Sequence, residues 1–307
     1  MEENKNKLND LMPSRERYIN PYTDFGFKKL FGTEVNKDLL ISFLNALIGG
    51  SHTIVDLEYL NSEHLGDGYG DRRAIFDVYC MTDDGSRIIV EMQKAEQTHI
   101  KDRSLFYATF PIREQAPKGR QWDYELDNVY TIGVLNFNFP DNEYPADSYM
   151  HEIKLVDVKD QHVFYDKFTL LYLEIPKFNK TEDELETMLD KWMFVLRNLS
   201  NLLDRPAALQ ERVFTRLFEL AEIAQYTPTE RREYEASVKN YWDFYSTIDT
   251  AHSKGMAEGI AQGKAEGIAQ GMEETNAANA RKMRQLGLPI ETIAEVTGLS
   301  ADEITAL

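Results

Sequence analysis

Residues 71–94, DRRAIFDVYCMTDDGSRIIVEMQK, decide the fold of this 307-residue chain, because they contain two apolar runs joined by a short polar link. The runs, Ala74 to Met81 and Arg87 to Met92, are rich in β-branched and aromatic residues. Runs of this length and composition favour strands over helices. Their apolar side chains fall on both faces, as expected for strands covered by helices on both sides of a sheet. The link at residues 83–85 supplies a turn, so the stretch predicts a buried β-hairpin.

The hairpin carries two carboxylates, and its register decides whether they meet. A two-residue loop would set Asp77 opposite Met92, whereas a three-residue loop would set Asp77 opposite Glu91. The three-residue loop is favoured, because Gly85 would then occupy the left-handed position of a type I turn followed by a G1 bulge. Since side chains alternate along a strand, Gln93 would share the face of Glu91.

The cluster of Asp77, Glu91 and Gln93 predicts a metal site. Buried carboxylates lose their hydration, and a hydrogen-bonding partner, a shifted pKa or a bound cation is the usual compensation. Oxygen ligands suit a hard divalent cation such as Mg²⁺ or Mn²⁺. We expect Asp77 and Glu91 to be the metal ligands.

This hairpin resembles the core of the PD-(D/E)XK nuclease superfamily, which presents an Asp and then a Glu-x-Lys. The matching residues are Asp77 and Glu91-Met92-Gln93. Two flanking stretches, TDFGFKKLFG at 23–32 and KDRSLFY at 101–107, resemble the Rpn family of recombination-promoting nucleases and transposase-like proteins. The resemblance covers most of residues 20–270. Gln93 stands where many superfamily members have a catalytic Lys, and the Rpn-like branch is understood to use this Glu-x-Gln form.

The resemblance implies an α/β fold with a restriction-endonuclease-like core, in which helices flank a central mixed sheet and a C-terminal helical region follows. The mixture of predicted strands and helices agrees with such a core. We divide the chain into a nuclease-like core with a frayed N-terminus at 1–180 and a helical subdomain at 181–250. A glycine-repeat helix or linker follows at 251–275, and a small helix-turn-helix-like tail occupies 276–307.

A helix is predicted over residues 98–110, with Leu105, Phe106, Thr109 and Phe110 toward the core. Arg103 and Tyr107 share another face of this helix. They either contact phosphate and support the active site, or form a solvated Arg packed over a Tyr.

Further candidates lie on either side of the hairpin. The resemblance suggests that Asp24, on the first core helix, helps to hold metal or to position water. The alternative is that Asp24 complements the helix dipole. The candidate DNA-binding residues are Arg73, Lys94, Arg103 and Tyr107.

The formal net charge of −18 argues against a general nucleic-acid coat protein, because phosphate binding draws on clustered Lys and Arg. It does not exclude a nuclease, which needs only a local positive track. Residues 94–120 contain six Lys or Arg and three acidic residues, so this stretch is basic within an acidic protein. We expect double-stranded DNA to be the partner.

Cysteine content and hydropathy predict the compartment. Cys80 is the single cysteine, so no intramolecular disulfide can form and a reducing cytosol is expected. The chain has no apolar segment long enough to span a membrane, and its N-terminus has no signal-peptide apolar region. These features predict a cytoplasmic protein without membrane contact.

Glycine recurs every four residues from Gly255 to Gly271. Each Gly costs a lone helix roughly 0.8 to 1.0 kcal/mol relative to Ala, so a helix here would need a partner. The repeat is either a protruding helix that forms a homo-oligomer through residues 255–271, or a flexible linker.

In the tail, Gly298 and Ser300 predict a helix-turn-helix. Acidic residues in its second helix make it a poor DNA reader and favour a small packing or pairing module.

Two functions from different classes remain open. In the first, the chain is a metal-dependent DNA endonuclease linked to recombination: Asp77 and Glu91 bind Mg²⁺, the cation polarises the scissile phosphate and activates water, and Gln93 orients the water or the phosphate. In the second, the nuclease fold is inactive and serves as a DNA-associated or self-associating interaction module. The presence of both carboxylates favours the enzyme. A DDE transposase fits poorly, because it requires three widely spaced carboxylates.

Overall fold

The computed structural model describes residues 16–49, 53–64, 74–116, 123–140 and 144–307. The strands in these ranges are β1 (Leu57–Tyr59), β2 (Glu63–His64), β3 (Ala74–Ile75), β4 (Val78–Thr82), β5 (Arg87–Gln93), β6 (Val129–Leu135), β7 (Met150–Asp157) and β8 (His162–Glu174). The α-helices are α1 (Asp24–Phe31), α2 (Lys37–Ile48), α3 (Ile100–Glu114), α4 (Met188–Asn198), α5 (Arg212–Ala221), α6 (Pro228–Gln285), α7 (Ile290–Thr297) and α8 (Ala301–Ala306). The 3₁₀ helices are Glu34–Asn36, Ile175–Lys177, Glu182–Glu184, Leu199–Asn201 and Ile223–Gln225.

The hairpin formed by β4 and β5 lies within a six-stranded mixed sheet whose order is β1-β4-β5-β6-β8-β7. Strands β5, β6 and β8 are parallel, and the remaining neighbours pair antiparallel. Helix α3 provides the crossover from β5 to β6. Because the carboxyl ends of parallel strands meet at one edge, Gln93, Leu135 and Glu174 lie in register there. The sheet and its flanking helices agree with the expected α/β core.

The hairpin has the register that the three-residue loop predicts. Val78 pairs with Val90 and Met81 pairs with Arg87, so the next pair along the ladder is Asp77 with Glu91. Gly85 has a φ of +87°, and its N–H donates to the carbonyl oxygen of Thr82 at 2.9 Å. The left-handed glycine therefore sets the register that brings the two carboxylates together.

Burial on both faces of β5 fixes the strand in the middle of the core, since every residue from Ile88 to Gln93 is buried. On one side, Phe76, Tyr79 and Ile89 form a cluster against which the α3 residues Tyr107 and Phe110 pack. A separate helical layer is held by aromatic contacts. Its ring contacts join Trp192 to Phe31, Phe43 and Phe214.

Helix α3 shows a different inward face from the predicted one. Leu105 and Phe106 are 49% and 42% exposed, and the buried residues of this helix are Ile100, Ala108 and Pro111. The predicted inward face was therefore wrong for Leu105, Phe106 and Thr109, whereas Phe110 packs against the core as predicted. The helix packs through the face that also carries Arg103 and Tyr107, and this packing brings both side chains toward the sheet.

The chain divides into two compact units, Met1–Tyr241 and Trp242–Leu307. Helix α6 is continuous over 58 residues and includes the glycine repeat. In the second unit, Ala280, Ile293 and Ile304 form a small core. Gly298 has a φ of +74° and Ser300 caps α8, so the predicted turn and cap of the tail are confirmed. The division into four segments stays a prediction.

No helix within the described ranges is both long enough and apolar enough to cross a bilayer.

Candidate active site

Asp77 lies at a break in the first apolar run of the hairpin. The run was predicted as one strand, but β3 pairs with β2, whereas β4 begins at Val78 and pairs with β5. At the break the Asp77 N–H donates to Glu91 Oε1 at 3.3 Å, and Asp77 Oδ2 accepts from the Met92 N–H at 2.7 Å. The two carboxylates thus satisfy backbone donors at the point where the first run changes its pairing partner.

Glu91 is the most enclosed acid of the site, with 8% of its surface exposed. Its Oε2 accepts from Gln93 Nε2 at 3.1 Å and from a guanidinium nitrogen of Arg103 at 3.3 Å. The structure therefore brings together Asp77, Glu91 and Gln93, as the alternation along β5 predicts.

Burial raises the pKa of Glu91 to about 8. The charge of Asp77 raises this pKa further, and the Arg103 guanidinium opposes the shift. Each carboxylate is harder to ionise when it is buried beside a like charge, because neither water nor a counter-charge fully compensates.

The pKa of Asp77 is also raised, mainly by burial. The hydrogen bond from the Met92 N–H opposes this shift, and the charges of Asp24, Lys28 and Lys94 also act on the carboxyl group. Asp77 is therefore within electrostatic range of the first helix as well as of Glu91.

Asp24 lies in the first turn of α1, where Thr23 caps the helix. Its side chain is 70% exposed and accepts a 2.7 Å hydrogen bond from Lys94 Nζ. Lys94 therefore pairs with an acid near the site. Both interpretations of Asp24 stay open, because a carboxylate in this position complements the helix dipole and also acts on Asp77.

Arg103 reaches from α3 to the sheet. Its guanidinium lies 5.3 Å from the centre of the Tyr107 ring and donates to Gln97 Oε1 at 2.6 Å, in addition to its contact with Glu91. Tyr107 in turn packs edge-on against Phe76, with ring centres 5.1 Å apart. Arg103 thus both packs over the Tyr and contacts the acidic cluster.

A small cavity adjoins Glu91 and Gln93 between the sheet and α3. Its volume is about 10 Å³, close to the smallest that holds one water molecule. Arg103, Tyr107 and Thr131 line it as well. Among the described residues, Thr131 Oγ1 is buried without a hydrogen-bonding partner, so a polar group that points to this space is available to a water molecule.

The model of the PD-(D/E)XK nuclease family transposases matches residues 21–251. The chain belongs to this family. No curated protein and no solved structure matches it. The match includes both strands of the hairpin, helix α3 and the helical layer, so the nuclease-family transposase fold accounts for every element that carries a candidate side chain of the site.

PD-(D/E)XK nucleases generally use divalent metals, and the donor set of this family member fits such a cation. Asp77 Oδ2 is bound to a backbone N–H, and its other carboxylate oxygen accepts no hydrogen bond from the described residues. Half-buried Asp77 and buried Glu91, whose pKa values are both raised, lack full compensation for their charge, which a hard cation would provide.

A second acidic group is present in the turn between β7 and β8. Asp157, Asp160 and His162 are the one set of three potential ligands that lie within reach of one another in the described parts of the chain. They lie at the amino end of β8, whereas Glu91 and Gln93 lie toward the carboxyl ends of the parallel strands. We assign no role to this exposed turn.

Of the candidate DNA-binding residues, Lys94, Arg103 and Tyr107 border the site, and Arg73 lies outside the described residues. Sequence reasoning missed Gln97 and Thr131. The register of β6 against β5 places Thr131 beside Ile89, on the Glu91 face, but the sequence alone does not reveal that pairing. Gln97 has no signal that separates it from an ordinary loop residue.

Proposed function

We propose that this nuclease-family protein is a divalent-metal-dependent endonuclease that hydrolyses phosphodiester bonds in double-stranded DNA and acts in DNA recombination. The observation that supports the proposal is the pair of half-buried Asp77 and buried Glu91, joined through backbone N–H groups at the strand break. Each carboxylate opposes ionisation of the other, and metal-assisted hydrolysis requires such a pair of ligands.

Asp77 and Glu91 would hold Mg²⁺ or Mn²⁺, and the bound cation would supply Lewis-acid chemistry at the scissile phosphate. Gln93 donates one amide hydrogen to Glu91, which leaves its carbonyl oxygen to orient a water molecule or its other hydrogen to contact phosphate. Because an amide cannot act as a base at neutral pH, the proton of the attacking water passes to a neighbouring carboxylate or to solvent. Asp24 is a further acid whose charge acts on Asp77, and its role in positioning water stays a proposal.

The positive groups around the cluster would contact the DNA backbone. Lys94 and Arg103 lie on the α1 and α3 sides of the pair and bring positive charge to an acidic protein. The Arg103 guanidinium packs on the ring of Tyr107. With Arg73, they form the proposed DNA contact. Contacts of this kind are sequence-independent and depend on salt concentration.

The alternative function is an inactive nuclease fold that acts as an interaction module. The glycine repeat is compatible with it, because a side chain added at any of the repeat glycines from Gly255 to Gly271 would meet nothing within 4 Å. Such an open helical face is suited to pairing with a second copy. We propose homo-oligomerisation through residues 255–271 as a property that is compatible with either function. A cytoplasmic location stays a prediction from the cysteine and hydropathy patterns.

A plasmid-nicking assay separates the two functions. Purified protein is incubated with supercoiled DNA in Mg²⁺, in Mn²⁺ and in EDTA, and the open-circular form is followed over time. Endonuclease function predicts nicking in either metal and none in EDTA. Absence of nicking in both metals, from protein that is folded and binds DNA, would favour the interaction module.

A further inference from the structure

We propose that Arg103 is the internal counter-ion of Glu91, and that it competes with the divalent cation for this carboxylate before turning to the substrate phosphate. The inference rests on the proposed metal-dependent function. It assigns Arg103 a positioning role that links metal binding to DNA binding.

The Glu91 carboxylate accepts hydrogen bonds from three groups at the site. Oε1 accepts from the Asp77 N–H, and Oε2 accepts from both Gln93 and Arg103. Both lone pairs of Oε2 are therefore shared with donors, and Arg103 is the only cation in hydrogen-bonding contact with Glu91 among the described residues. Oε2 can bind a cation only after one of these two donors withdraws.

Arg103 is the donor that is able to leave. The Gln93 amide is fixed on the same strand as Glu91 and is buried. Arg103 comes from α3, its side chain is 31% exposed, and its 3.3 Å contact is longer than the 3.1 Å contact of Gln93. A guanidinium beside a divalent cation also experiences strong repulsion at this distance. Release of Arg103 therefore precedes or accompanies ligation through Oε2 of Glu91.

After release, Arg103 stays at the site. Its second nitrogen donates to Gln97 Oε1 at 2.6 Å, and its plane lies over Tyr107. Neither contact involves Glu91, so both can persist while the nitrogen that now contacts Glu91 turns away from this carboxylate. A planar guanidinium held in this way matches the geometry of a phosphate group. The same side chain would thus neutralise Glu91 in one state and substrate in the next.

Binding of Mg²⁺ alone, measured by calorimetry in alkaline buffer, tests the competition. In Arg103→Met the competing charge is removed while the apolar stem over Tyr107 is kept, so we expect Mg²⁺ to bind about tenfold more tightly than in the parent protein. Arg103→Lys should fall between the two, because it keeps the charge but not the planar fork. Arg113→Met, on the same helix, is the matched control and should keep the parent affinity. Equal or weaker binding by a folded Arg103→Met protein would overturn the inference.

A spectroscopic measurement on the unaltered chain provides a second readout. In protein labelled with ¹⁵N-arginine, the Arg103 side-chain signal is identified by its loss in Arg103→Met. We expect it to shift as Mg²⁺ saturates, with the Arg113 signal unchanged. A signal that does not move at saturation would contradict displacement.

Asp77→Asn separates failure of this inference from failure of the proposed function, because Asn keeps an acceptor for the Met92 N–H. If folded Asp77→Asn binds Mg²⁺ as tightly as the parent, the cation does not bind at this cluster, and both proposals fail. If folded Asp77→Asn loses binding while Arg103→Met equals the parent, the site stands and only the role of Arg103 is refuted.

Discussion

Asp77 and Glu91 each have a structural and a chemical role. Their side chains accept the N–H groups of Asp77 and Met92, which the strand break would otherwise leave without acceptors. Removing the Asp77 carboxylate therefore takes away an acceptor as well as a charge, and an unsatisfied buried N–H costs about 1 to 3 kcal/mol. Asp77→Asn keeps an acceptor and removes the charge, so it is the cleaner variant for chemistry.

The raised pKa of Glu91 predicts that metal binding depends on pH. A proton on Glu91 competes with the cation, and the pKa of about 8 means that this competition extends to neutral pH. Below this pKa, the affinity for Mg²⁺ should weaken about tenfold for each pH unit, and above it the affinity should become constant. Calorimetry across this range measures the change. An affinity that is independent of pH would show that Glu91 is already ionised.

The raised pKa of Glu91 also affects the free energy of unfolding when no cation is bound. The folded protein holds the Glu91 proton more tightly than the unfolded chain does, so the free energy of unfolding falls as pH rises from the ordinary Glu range to about 8. Added Mg²⁺ should oppose this loss, because it binds the ionised form.

Gln93→Lys restores the residue that many nucleases of the superfamily carry. The new ammonium would replace an amide that already donates to Glu91 Oε2, and its charge could stabilise negative charge that develops on the phosphate. We expect the rate of plasmid nicking to be maintained or increased. A large loss in rate, with Gln93→Met as the comparison, would show that the amide itself is required.

The carboxylate cluster could be predicted from sequence because one glycine and the two-residue period of a strand fix it. The contact of Arg103 with Tyr107 was also predicted, but those of Arg103 with Glu91 and of Lys94 with Asp24 could not be. Long side chains reach across several possible partners, and which partner they meet depends on where α1 and α3 pack, which is a tertiary property. The break at Asp77 was also hidden, because an apolar run gives no sign that its two ends pair with different strands.

At the scale of elements, the turn of the hairpin determines how β4 and β5 pair. Gly85→Ala would place a Cβ 3.0 Å from an Asp127 carboxylate oxygen, on a backbone whose φ of +87° disfavours L side chains. We expect a loss of about 1 to 2 kcal/mol in the free energy of unfolding. Chemical denaturation measures this loss.

Gly85→Asn is the matched comparison, because Asn tolerates the left-handed conformation better than Ala and should lose less. Equal stability of Gly85→Ala and the parent would contradict the assigned turn.

The buried face of helix α3 could not be predicted from its pattern of apolar residues. Its apolar residues occur on more than one face, so periodicity allowed an inward face through Leu105 and Phe106. The structure instead buries Ala108 and Pro111, since the crossover between β5 and β6 fixes how the helix lies on the sheet.

At the scale of the whole molecule, the glycine repeat predicts self-association. Met256, Ile260, Ile268 and Met272 are exposed, and each follows a glycine. In an antiparallel pair with its two-fold axis between residues 263 and 264, each of these apolar side chains would lie opposite a glycine of the partner, and Lys254 would lie opposite Glu273. Small residues at this spacing allow close approach of helices, and the charges support one register.

Light scattering tests this prediction. Ile260→Gln combined with Ile268→Gln should lower the number of chains per particle. Ala251→Gln with Ala269→Gln should not, because both alanines are two and a half turns from Ile260 and lie on the opposite side of the helix. Removal of residues 252–307 should also lower the number of chains per particle and leave a folded core. An unchanged number of chains in both the Ile260 and Ile268 double variant and the truncated chain would return the segment to a linker or spacer role.

The central claim is that the chemistry belongs to Asp77 and Glu91, and the rate of plasmid nicking by two aspartate variants tests it most directly. Asp77→Asn removes a proposed metal ligand, and Asp157→Asn removes a carboxylate from the other acidic group. With matched concentrations of folded protein in Mg²⁺, we predict loss of nicking in Asp77→Asn, by about a hundredfold or more, and the parent rate in Asp157→Asn. Nicking by Asp77→Asn at the parent rate would contradict the assignment of the active site to the hairpin.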